Sequence, residues 1–143
     1  MSNFSMGNQT VKDSDQQKLK RVWTLYMEKD GIQVYSMYED CNDKVNGIHQ
    51  ENVVLKFVNT TGKNLSVDWD LILWYSDKSI NNDNSDKEYH FSIHLNAGET
   101  KAGSCKNRNK SKEMVIFSKF LNMENKSVLN EFELRNFDVK PIN

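Results

Sequence analysis

From Leu65 to Tyr75 apolar residues take every second place. Leu65, Val67, Trp69, Leu71, Leu73 and Tyr75 form one set, and Ser66, Asp68, Asp70, Ile72 and Trp74 stand between them. Successive strand side chains point to opposite faces, so this period of two predicts a strand with its first set in a core. A helix would not sort the two sets apart. Tyr89, Phe91, Ile93 and Leu95 alternate in the same way with His90, Ser92 and His94. Val53 to Val58 is β-branched and aromatic and predicts a buried strand. Met114 to about Leu121 predicts another, and Thr100 to Cys105 a short one.

Turn chemistry separates these runs. Lys29-Asp30-Gly31 lies between Val22–Met27 and Ile32–Tyr38, and Asp-Gly between apolar runs is a strong hairpin signal. A helix from Lys18 to Met27 competes, because Leu19, Val22, Trp23 and Tyr26 also fall at helical spacing. Asn59 to Lys63 and Asn96 to Glu99 read as turns, and Ser76 to Glu88 as a polar loop. In the last strand Phe132 and Leu134 share one parity, Phe137 and Val139 the other. A one-residue bulge at Arg135-Asn136 would return all four to one face. Residues 1–17 read as a flexible polar arm, and residues 18–143 as one domain. Seven or eight short strands and no long helix predict an all-β fold, an immunoglobulin-like antiparallel β-sandwich, with a partly closed β-barrel as the alternative.

Two stretches, LKFVNTTGKNLSVDWDLILWY (55–75) and LNAGETKAGSC (95–105), carry a resemblance to small immunoglobulin-like accessory domains. These pair an Asn-Thr turn hairpin with a later Leu-x-x-Gly-Glu-Thr turn. The resemblance implies the sandwich and carries over no functional residue. It departs from true immunoglobulin domains, which place Trp about a dozen residues after the first Cys, whereas Trp69 lies far beyond Cys41.

Charge narrows the partners. Nineteen Lys plus Arg against twenty Asp plus Glu leave a net charge of −1, without the basic excess that nucleic acid requires. A protein or a glycan is the expected partner. No apolar run approaches the roughly 20 residues of a membrane helix. Met1 to Lys18 lacks the charged and apolar regions of a secretory signal, which leaves a cytoplasmic protein or a processed form. A disulfide between Cys41 and Cys105 would close a loop of about 65 residues and favour an extracytoplasmic home; two free thiols are the alternative.

Candidate chemistry is sparse. His90 and His94 lie four strand residues apart, about 13 Å, too far to share a zinc ion unless the strand distorts. His49 could approach from a neighbouring strand. Cys105 with His90 or His94 would be the minimal nucleophile–base pair, yet no sequence signal orients it. Asp77, Asp83, Asp86 and Glu88 share a loop, but Asp83-x-Ser85-x-Lys87 fails as a calcium motif at Lys87. Lys106, Arg108 and Lys110 alternate, with Lys112 beyond, and could contact an acidic ligand or a partner. Trp74 sits on the parity opposite the core set, where an exposed indole could stack on a sugar or anchor a protein. Asn-x-Ser/Thr sequons include those beginning at Asn8, Asn59, Asn64, Asn109 and Asn125. These residues assign no catalytic, cofactor or metal role. They point to a non-enzymatic binding or interaction module, with a small Cys–His enzyme and a structural edge-strand protein as alternatives.

Overall fold

Asp30 and Gly31 both take positive φ, 49° and 86°. That is the backbone of a type I′ turn, which matches the twist of the strands it joins. It links β1 (Thr24–Lys29) to β2 (Ile32–Asp43), with Lys29 paired to Ile32. A register shift between Leu25 and Met27 leaves Tyr26 out of the alternation. Of the helically spaced residues only Tyr26 lies in this strand, and Leu19 is outside the described residues. The computed structural model describes residues 21–81, 87–108 and 110–142. The polar arm, Asp83, Asp86 and the sequons at Asn8 and Asn109 lie outside the described residues.

The first sheet runs β1–β2–β3, with β3 spanning Ile48–Asn59. Two strands share its far edge. β7 (Thr100–Ala102) pairs with Lys56–Val58, and β8 (Val115–Phe120) pairs with Gln50–Val54. The junction lies at Leu55, whose carbonyl accepts from Gly103 N and whose N–H donates to Met114 O, both at 2.9 Å. The chain therefore leaves the sheet at Gly103 and rejoins it at Met114 on the same rung. Gly103 must lack a Cβ, because one built there would collide with the Met114 carbonyl.

The second sheet is centred on β4 (Leu65–Tyr75), with β9 (Leu129–Pro141) along one side. The other side is again divided: β6 (His90–Leu95) pairs with Leu65–Asp70, and β5 (Lys78–Ser79) with Trp74–Tyr75. Between them the side chain of the buried Asn81 acts as a rung. Its Nδ2 donates to Leu71 O at 2.7 Å and its Oδ1 accepts from Leu73 N at 3.1 Å. β5 is the strand the alternation did not reveal, since two residues carry no period. The β9 bulge lies where the parity change places it: Asp68 opposes Asp138, Asp70 opposes Arg135, and Asn136 takes φ 56°.

The two sheets pack as a sandwich rather than closing into a barrel. Trp69 is fully buried, stacked on Phe57 across the interface at 4.7 Å between ring centroids, with Phe91 and Phe137 at 6.0 and 6.4 Å. Burying each large apolar side chain stabilises the fold by about 1.5–3 kcal/mol. β1 lies across the edge of β9. Tyr26 stacks on Phe132 and donates to its carbonyl, and Lys29 Nζ donates to Phe137 O at 2.7 Å. No described helix is long and apolar enough to cross a membrane.

Candidate functional site

The chain leaves the first sheet at Gly103, and Cys105 and Arg108 lie over that sheet's outer face before the chain rejoins it at Met114. The residues that hold them lie on alternate positions of β2, so all point the same way: Glu39, Cys41 and Asp43. Glu39 Oε1 accepts from Cys105 N at 2.8 Å. Cys41, fully buried, forms a disulfide with Cys105, with Cα atoms 5.4 Å apart and within the range a bridge requires. Arg108 Nη2 reaches Asp43 at 3.3 Å, and its Nη1 donates back to Cys105 O at 2.9 Å. The Asp43 carboxyl is held below its ordinary range, first by the Asn46 side-chain amide and then by Arg108. The loop is thus fixed by one covalent bond, one charge-assisted hydrogen bond and one ion pair along a single row.

Beside this clamp is an open concavity bordered by Glu39, Asp40, Asp43, Lys44, Lys106 and Arg108. Its three carboxylates balance its three cations, so the surface is bipolar rather than a phosphate cradle. Arg108 is committed to Asp43 and Cys105, while Lys106 and Lys110 are exposed. Asp40 in turn pairs with Arg21 at 2.7 Å, and Arg21 reaches the buried Glu51 at 3.0 Å.

The other residues singled out from sequence lie elsewhere. Trp74 is half-buried on the outer face of the second sheet, not freely exposed, and Ile72 beside it is fully buried. That face is therefore covered around Ile72, and Trp74 shares no surface with Lys106, Arg108 and Lys110. His90 stands on the same face, its Nδ1 2.7 Å from Asp70 Oδ1, with His94 further along β6. His49 belongs to the first sheet, where its Nε2 meets Asn122 Nδ2 at 2.8 Å. The three histidines are not brought together. Cys105 is in a disulfide on the first sheet, so it forms no pair with His90 or His94 on the second. Among the described residues no group of three or more His, Cys, Asp or Glu could hold a metal ion. Asp77 accepts a hydrogen bond from Asn130 Nδ2 rather than standing in an open acidic loop.

The sequons differ in their surroundings. Asn59 is buried with its amide donating to the carbonyls of Lys63, Leu95 and Asn96. Asn125 donates to Phe120 O and Met123 O. Asn64 is exposed.

Sequence reasoning passed over Glu39 and Asp43. The spacing Glu39-x-Cys41-x-Asp43 was the available signal, because on a strand it makes one face that can grip a returning loop. No protein-family model matches this chain, and neither a curated protein nor a solved structure matches it.

Proposed function

We propose that this chain is a non-enzymatic binding module on an immunoglobulin-like sandwich, working in an extracytoplasmic compartment. In this reading it recognises a protein partner through residues 104–113 and the β2 row beneath them. The observation that carries the proposal is the clamping of that segment by Cys41, Glu39 and Asp43. Recognition residues are concentrated on loops held by rigid scaffolds, and a loop ordered in advance loses less entropy on binding. The bipolar rim suits a protein surface of matching charges better than a polyanion, which would meet Glu39, Asp40 and Asp43. A disulfide supports the compartment, since such bonds persist where the surroundings are oxidising.

The alternatives draw less support. The Cys–His pair is divided between two sheets and its sulfur is bonded. Pairing through the long edge of β9 is hindered by Tyr26 and Lys29, which already bind the Phe132 and Phe137 carbonyls.

A photo-crosslinking residue at Lys106 or Lys110, with a control at Ser92 on the opposite face, tests the proposal in the source cells. The expected result is a discrete protein adduct from both loop positions and none from Ser92. Adducts of equal pattern from all three, or none from the loop, would refute it.

A further inference from the structure

Among the described residues, the sandwich is open on the side where β6 faces β8. There a cavity of about 380 Å³ enters between the sheets, within the roughly 300–1,000 Å³ usual for small-molecule sites. Its floor is the buried Leu71, Leu73 and Ile116, and Phe91 and Phe117 form its walls. These residues come from β4, β6 and β8, so no local motif announces the site.

The polar groups decide what fits. Tyr75 also lines the cavity, but its hydroxyl donates to Phe117 O at 2.6 Å and is already satisfied. A water molecule needs two to four polar partners, and the apolar floor supplies none from its side chains. The interior therefore favours an apolar guest. At the mouth stand Glu88 and Lys112. Glu88 already has a partner, whereas Lys112 is exposed and makes no hydrogen bond or ion pair among the described residues. Lys112 thus offers an exposed cation beside the entrance.

We propose that this opening binds a small anionic amphiphile: a compact aromatic or branched aliphatic tail between the sheets, with a carboxylate at Lys112. The cavity of about 380 Å³ has room for a single-ring acid. The site shares Lys112 with the 104–113 segment, but its floor lies between the sheets and it does not depend on the function proposed for that segment.

A matched series tests the tail and the head separately. The full chain is titrated with 3-phenylpropanoate, 3-phenylpropan-1-ol and 3-phenylpropylamine while amide resonances are followed by NMR. The expected result is saturable shifts confined to Leu71–Tyr75, Phe91 and Val115–Phe117. The acid should bind more tightly than the amine by roughly twofold to fivefold, the range for an exposed ion pair. Lys112→Glu, a surface change that leaves the core intact, should reverse that order and leave the alcohol unaffected. Leu73→Phe, which fills the floor, should weaken all three, its folding being checked from the same spectra. The proposal is overturned by the absence of saturable shifts up to about 10 mM, by shifts elsewhere, or by an acid–amine order that Lys112→Glu does not change.

Discussion

Asn59 is the polar residue on which most of one end of the sandwich depends. It is 1% exposed. Its Nδ2 donates to Lys63 O at 2.7 Å, Asn96 O at 3.0 Å and Leu95 O at 3.2 Å. Its Oδ1 accepts from Thr61 N at 2.9 Å and Thr61 Oγ1 at 2.7 Å. One side chain thereby joins the turn after β3 to the end of β6. Asn59→Ala strands at least two backbone groups, Leu95 O and Thr61 N. Each buried group left without a partner costs about 1–3 kcal/mol, so the loss should be on the order of 3 kcal/mol. Asn59→Asp is the sharper perturbation, because it keeps the shape and the Thr61 contacts but turns a second oxygen towards three carbonyls. Those carbonyls disfavour the charged form and raise the folded-state pKa of the new carboxyl above its unfolded value of about 3.9. The sign follows from the raised pKa. Relative to wild type, Asn59→Asp should be least impaired below about pH 4 and lose stability as pH rises through the folded pKa. Urea melts of both variants at pH 4 and pH 7 measure this. A loss below about 1 kcal/mol for Asn59→Ala, or an aspartate variant as stable at pH 7 as at pH 4 relative to wild type, would refute the reasoning.

Three further outcomes are expected. Trp69→Ala should cost roughly 3–5 kcal/mol, the range for removing a large aromatic from a core, and Trp74→Ala about 1–2 kcal/mol as a half-buried residue; equal losses in denaturant melts would contradict the difference in burial. Burial, with a smaller contribution from Tyr89, pushes the Tyr75 hydroxyl up to about 12. Its contribution to stability should be complete below pH 10 and lost as pH rises to 12, on the order of 1–2 kcal/mol after discounting for partial exposure; Tyr75→Phe should flatten that part of the alkaline melting profile. Protein isolated from its native compartment should show no free thiol when unfolded without reductant, and replacing Cys41 and Cys105 by Ala should cost about 4 kcal/mol in the chain-entropy model; two titratable thiols would remove the disulfide and the compartment argument with it.

The fold was legible where one residue's role is set by its neighbours along the chain. The alternation through Trp69 gave β4, Asp30-Gly31 gave the first hairpin, and the parity change at Asn136 gave the bulge in β9. Each is a local rule of side-chain direction or backbone geometry. The site was less legible because its parts meet only in three dimensions. Cys41 and Cys105 are 64 residues apart, and sequence alone left their pairing open. Arg108 reads as a free cation until Asp43 is placed opposite it. Asn81 belongs to a run of Asn residues typical of turns, yet its amide completes the ladder between β5 and β6. Trp74 follows the parity rule, but parity does not say what else covers the outer face.

The junction at Leu55 has a consequence for how this protein can change. Gly103 and Met114 bond to the carbonyl and the N–H, in that order, of one residue, so β3 does not measure the length of chain between them. Each doubling of a flexible loop adds only about 0.6 kcal/mol of closure entropy. Descendants of this sequence could therefore lengthen, shorten or exchange residues 104–113 while β7 and β8 keep their places on β3. The same junction is a ready grafting point for a foreign peptide, provided a cysteine remains within reach of Cys41.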